Sequence, residues 1–228
     1  MARIIHLETS TTLCSVALAN DGELVALREV NDGYKHAENI GKFIQECLDE
    51  GGITAQDLDA VAVGSGPGSY TGLRIGVSTA KGLAFSIEKP LIAIPTLRTM
   101  ALDSRLREFD GVLVPMIDAR RLEVFCAVYN NEGLEIEPAR AEILDEHSYA
   151  ELLAQEKVAF FGDGAAKFKD IVKHENASFF EDVWPSTVQM IQPALEKFKH
   201  KLFEDVAYFE PFYLKDFVAT TPKNKLAQ

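Results

Sequence analysis

Glycines crowd one short stretch, GSGPGSYTGLRIG over Gly64–Gly76, where an apolar run meets a helical one. Nothing else in the chain constrains its fold as much, because glycine concentrates where backbones approach closely or turn through left-handed φ. DAVAVG before it reads as a short strand, and Leu73 to Phe85 after it as a helix. Two readings compete for Gly64, Gly66, Pro67, Gly68, Thr71 and Gly72. In one, amides at the helix N-terminus face a bound phosphate. In the other, Gly66, Pro67 and Gly68 set a tight turn and Ser69 or Thr71 caps the helix. A P-loop needs a lysine directly after its last glycine, but Leu73 follows Gly72, and the spacing is not G-x-G-x-x-G. The tight turn is the preferred reading.

Around this joint the first half reads as strands RIIHLET, LCSVALA and ELVALREV, with Asn20–Asp21–Gly22 turning between the last two. A helix follows in KHAENIGKFIQECLDEGG, with Ile40, Phe43, Ile44, Cys47 and Leu48 at helical spacing and Gly51–Gly52 as its stop. After the glycine helix come the strand PLIAIP and the helix TLRTMALDSRL. The order βββαβαβα predicts one mixed sheet packed with helices. Near Gly111 the plan starts again. VLVPMID and RLEVFCAVY read as paired strands, EIEPARAEIL as an irregular third, Ser148 to Gln155 as a helix and KVAFFG as a strand. Helices are predicted near Lys167–Val172 and Thr187–Phe203, with Pro193 kinking or restarting the last. The chain thus reads as a diverged duplication, α/β in class, with lobes over 1–109 and 110–228.

Net charge bounds the partners. At −12 the chain repels nucleic-acid phosphates at long range, so any work on RNA needs another component to hold it. No apolar run approaches the ~18 residues of a membrane span, and MARIIHLETS lacks a signal-peptide core, so the cytoplasm is expected. Cys14, Cys47 and Cys126 are scattered, which suits packed thiols better than a disulfide framework or zinc site.

The duplicated plan is the architecture of the actin, Hsp70 and sugar-kinase group, in which each half offers a phosphate hairpin between its first two strands. The first hairpin there normally carries an aspartate and a glycine. Here it is LETSTTLCS, with Glu8 for the aspartate and no glycine. The second, IDARRLEVF, keeps Asp118 but fills the turn with Ala119, Arg120 and Arg121. Both cradles read as degraded, since side chains stand where backbone should approach phosphate.

GSGPGSYTGLRIGVSTAKGLAF resembles the signature of the TsaB (YeaZ) family, and HLETSTTLCSVAL, DARRLEVFCAVY, FFGDGAAKF and EPFYLKDF extend the resemblance over most of the chain. It implies a two-lobed actin-like (ribonuclease H-like) fold and a non-catalytic partner of TsaD. TsaD is the transferase that builds threonylcarbamoyladenosine beside the anticodon of tRNAs reading codons that begin with A. It also implies a TsaE-type ATPase as a further partner, a homodimer when the chain is alone, and tRNA met only through the complex. No cofactor or metal of its own is expected, although ADP or ATP could lie at the junction with TsaD. A TsaD-type metal site needs histidines at i and i+4, but His36 is followed there by Ile40, so His36 is expected at the surface or as a cap. Neither an H-E-x-x-H helix nor a G-x-S-x-G elbow occurs, which excludes the corresponding protease chemistries.

The partner surface is predicted on two helices, from His36, Ile40, Phe43, Ile44 and Cys47 on the first and Leu73, Val77 and Ala80 on the second. The second carries apolar residues nearly all round, which predicts burial on every side. Its small residues Gly76, Ser78, Thr79, Ala80 and Gly82 would let another helix approach. Arg74, in the unfavourable first turn, and Arg120 and Arg121 are the candidates to reach a nucleotide at the partner junction. Two alternatives stay open: a small-molecule kinase or ATPase of the same fold, and a homodimeric adaptor outside tRNA modification. The tail TTPKNKLAQ is expected to be mobile.

Overall fold

A computed structural model describes residues 1–33 and 35–215; the tail 220–228 lies outside the described residues. Strands β1 (Arg3–Glu8), β2 (Cys14–Asn20) and β3 (Glu23–Val30) form an antiparallel meander. Asp21 (φ 49°) and Gly22 (φ 89°) make its second turn, both left-handed as a two-residue hairpin requires. Then follow α1 (His36–Glu50), β4 (Ala60–Gly64), α2 (Tyr70–Ser86), β5 (Leu91–Ile94) and α3 (Thr96–Ala101). The first sheet has the order β3-β2-β1-β4-β5, with β1, β4 and β5 parallel.

The second half repeats the plan with β6 (Val112–Asp118), β7 (Glu123–Tyr129), β8 (Glu135–Ile143), α4 (Ala150–Gln155), β9 (Val158–Phe161), α5 (Ala165–Lys169), β10 (Ala177–Phe180) and α6 (Thr187–Lys199). Its sheet runs β8-β7-β6-β9-β10, again an antiparallel meander with two parallel strands added beside its first member. This is the actin-like arrangement expected from the element order.

Local departures from the sequence reading have physical causes. α2 starts at Tyr70, because the Ser69 hydroxyl accepts from Gly72 N–H and caps it there. The helix predicted over TLRTMALDSRL ends at Ala101; Asp103 then accepts from Arg105 N–H and opens a separate short turn. α6 stays helical through Pro193 and ends at Lys199. Burial of Met190, Ala194 and Leu195 on a sheet outweighs the one hydrogen bond the ring removes. β10, which the sequence reading missed, is a half-buried ASFF edge.

A parallel sheet must be covered on both faces. Ile5, Leu7, Val16, Val61 and Val63 meet α1 and α2 on one face of the first sheet. On the other, Ile4, Ala62, Ile92 and Ile94 meet Met190, Ala194 and Leu195 of α6. Conversely Leu97 and Met100 of α3 pack on Leu113, Ile117 and Phe161 of the second sheet. The boundary at 109/110 separates the two sheets but not the two lobes, since each lends a helix to the other. Among the described residues no helix is long and apolar enough to cross a membrane.

Candidate functional site

The glycine joint is filled by the chain itself. A Cβ at Gly64 would meet the Glu8 carboxylate at 2.0 Å, one at Gly68 the Ser10 carbonyl at 2.3 Å, and one at Gly72 the Thr9 carbonyl at 2.1 Å. One turn on, a Cβ at Gly76 would stand 2.2 Å from Thr9 Oγ1. The β1–β2 loop therefore lies on the start of α2, a contact only glycine permits. Hydrogen bonds lock it: Ser69 N–H donates to Ser10 O (2.7 Å) and Thr9 Oγ1 to Gly72 O (2.8 Å). Gly72 and Leu73 N–H both turn to Ser69, while Gly66 N–H donates to Thr96 Oγ1 at 3.1 Å. Thr71, the other candidate cap, is exposed.

Beneath this joint Glu8 is fully buried, accepting from Ser10 N–H at 2.6 Å. Burial pushes its carboxyl above the usual range, against hydrogen bonds from Ser10, Thr9 and Thr96 that oppose the shift. His6, also fully buried, is pushed down to about 4 by the same desolvation. Neither side chain reaches solvent.

In the second hairpin Arg120 (φ 75°) and Arg121 (φ 55°) take the left-handed positions and are exposed. Asp118 is engaged locally: its carboxylate accepts from Arg120 N–H (2.5 Å) and from Lys167 Nζ (2.7 Å). Its own N–H donates to Asp163 Oδ1 at 2.9 Å. Burial, with the nearby charge of Asp118, pushes the Asp163 carboxyl up.

The two first-lobe helices differ from expectation. Ile40, Cys47, Val77 and Ala80 are buried in the lobe's own core, Phe43 and Ile44 pack half-buried against it, and Leu73 is buried beside Gly66. His36 is not a surface residue: it is 1% exposed, and its Nε2 lies 2.8 Å from Thr11 O. Most of the predicted interface residues thus face inward, because α1 and α2 lie on one side of the sheet and turn their strongest apolar stripes toward it; Ile40, though buried, also lines the groove between the helices. Nor is α2 buried all round. Thr71, Arg74, Ser78, Gly82 and Phe85 are exposed, Phe85 at 78%.

That outer face is the candidate site. Ala37, Ile40, Arg74, Ile75, Ser78 and Thr79 line a shallow groove of about 430 Å³ between the helices. A Cβ at Gly41 or Gly82 would meet nothing within 4 Å, so both flanks are open. Arg74 stands over the Tyr70 ring, 4.2 Å from its centroid, and because α2 starts at Tyr70 it lies past the first turn, where the helix dipole would oppose a cation. Arg74 is therefore on the first lobe beside the groove, while Arg120 and Arg121 are on the second. Ala37 and Gly41 were missed in the sequence. Small residues such as these carry little periodic signal, although on α2 the same face is spaced as Thr71, Ile75, Ser78, Gly82 and Phe85.

Fold and site define the class: a two-lobed actin-like protein whose glycine joint holds its own first hairpin and whose first-lobe helices carry a small-residue face that is uncovered among the described residues. A family model described as "TsaD: tRNA N6-adenosine threonylcarbamoyltransferase" matches residues 33–223. The chain is 34% identical over 227 residues to the tRNA threonylcarbamoyladenosine biosynthesis protein TsaB of Escherichia coli K12, covering 95% of this chain and 96% of that one. It is 32% identical to the Haemophilus influenzae protein of the same name, covering 93% of each. YeaZ from Pseudomonas aeruginosa, a solved structure, superposes with a TM-score of 0.77 at 24% identity, covering 94% of this chain and all of that one. The chain belongs to the TsaB family.

Proposed function

We propose that this chain is the non-catalytic companion of a TsaD-type threonylcarbamoyl transferase, acting in the cytoplasm in the synthesis of threonylcarbamoyladenosine on tRNA. One observation carries the reading: the open, small-residue face of α1 and α2, on which another helix pair can lie at close range. The printed names of the relatives, tRNA threonylcarbamoyladenosine biosynthesis protein, support the pathway. The absence of a catalytic role is supported by Glu8 buried beneath the glycine joint and by the two arginines that fill the second hairpin. In this account the same face forms a homodimer when the transferase is missing, and a TsaE-type ATPase joins the pair. ADP or ATP, if bound, lies at the junction with Arg74, Arg120 and Arg121 as the candidate contacts. The strongly acidic chain meets tRNA through the complex.

Reconstitution tests this. The transferase of the same cells, supplied with threonylcarbamoyl-AMP and tRNA, should modify tRNA faster when this chain is added, and this chain alone should turn over neither ATP nor the adenylate. ATP turnover by the isolated chain would contradict the proposal and favour a kinase or ATPase.

A further inference from the structure

The segment after α6 belongs to neither sheet, yet it touches both lobes. Glu204 N–H donates to Leu91 O (2.9 Å) on the edge of the first sheet. Val206 and Phe209 then pack on the first-lobe core, and Lys81 of α2 donates to the carbonyls of Ala207 (3.2 Å) and Phe209 (2.8 Å). At the glycine joint Phe212 N–H donates to Ser65 O (2.8 Å), and the Tyr213 ring lies 5.0 Å from that of Tyr70. Lys215 finally pairs with Glu123, at the foot of the second hairpin, where Lys167 also bonds the Glu123 carbonyl.

Gly66 fits this path. It has φ 101°, and a Cβ there would stand 2.8 Å from Phe212 O. Gly64, Gly68, Gly72 and Gly76 are accounted for by the first hairpin, whereas Gly66 faces the C-terminal segment.

We propose that residues 204–215 are a strap that ties the glycine joint of the first lobe to the second hairpin and holds the two lobes at one spacing. Lys215–Glu123 is its second-lobe anchor, and Phe212 and Tyr213 are its first-lobe anchors. Released at those points, the lobes would stay coupled through α3, α6 and the connection after α3, where Arg105 donates to the Glu181 and Asp182 carbonyls and Phe109 meets Phe180, and would sample wider separations.

The test uses the full-length chain with spin labels at Gln56→Cys and Glu151→Cys, exposed positions on opposite lobes. Cys14, Cys47 and Cys126 are buried, so the engineered thiols take the label. Labelled chain is diluted into unlabelled chain so that only distances within one chain are read. For Tyr213→Ser with Lys215→Glu we expect a distance distribution that broadens and shifts outward, and exchange of the Phe212 amide faster by about tenfold or more. Tyr213→Phe, which keeps the ring contact, should leave both readouts as in the parent. If the double variant melts substantially lower, Lys215→Glu alone, a change at a half-exposed position, is read in its place. An unchanged distance distribution in the folded variant would overturn the strap, as would an unchanged Phe212 exchange rate.

Discussion

Gly72 faces the Thr9 carbonyl so closely that a Cβ would stand 2.1 Å from its oxygen. That contact is backbone, which cannot rotate away as a side-chain tip can. Gly72→Ala should therefore cost about 1–3 kcal/mol, in the range of overpacked cores. For a chain of this length that lowers the melting temperature by roughly 2–4 °C per kcal/mol. Gly82, with nothing near its Cβ position, should behave oppositely, Gly82→Ala gaining about 0.5–1 kcal/mol from helix propensity. Urea unfolding of both variants decides it. A harmless Gly72→Ala that abolished nucleotide binding would instead mark the joint as a phosphate cradle.

His6 and Glu8, two residues apart on β1 and both fully buried, should give stability opposite dependences on pH. The folded-state pKa of His6 is depressed from 6.5 to about 4, so its neutral form is favoured by folding. The unfolded chain binds the proton first, and stability present above pH 6.5 is lost as pH falls toward 4, by roughly 3 kcal/mol in total. For Glu8 the folded-state pKa is raised, so stability declines as pH rises from the ordinary glutamate range toward that folded value. Unfolding measured at about pH 5 and about pH 8 should show Glu8→Gln gaining on the parent as pH rises. His6→Gln should gain on it as pH falls. Parallel profiles for either variant and the parent would show that its group is not held as described.

Much of this architecture was legible in the sequence because strand and helix periods are local. The meanders, the Asp21–Gly22 hairpin and the βββαβαβα order follow from residues within a few positions of each other. The crossing of α3 and α6 between lobes did not follow, because only tertiary contact decides which sheet a helix covers. The same limit governed the candidate site. Ile40, Cys47, Leu73 and Val77 mark an apolar stripe in the sequence, but a stripe does not state whether it faces a sheet or a neighbour. The uncovered face is written in Ala37, Gly41, Ser78 and Gly82, small residues that carry little periodic signal. His36 was misplaced for a related reason: its partner, Thr11 O, is a backbone atom on a distant loop.

Folding and assembly should separate along this division. Leu73→Ala, at 1% exposure in the core, should destabilise the chain by about 2–5 kcal/mol. Phe85→Ser, at 78% exposure, should change stability by no more than about 0.5 kcal/mol while weakening association with the partner. Thermal melts alongside sedimentation of each variant read the two effects independently. Phe85→Ser associating as tightly as the parent would remove Phe85 from the contact.

The most direct measurement is light scattering on size-exclusion eluates of this chain mixed with the TsaD-type transferase of the same cells, for the parent and for Ser78→Arg. Ser78 is exposed at the centre of the groove face, so an arginine there leaves the fold intact but blocks close helix approach. The account predicts a stable heterodimer for the parent and at least about a tenfold loss of affinity, ~1.4 kcal/mol, for the variant at unchanged melting temperature. A parent chain that forms no complex, or a Ser78→Arg chain that binds as the parent does, would contradict it.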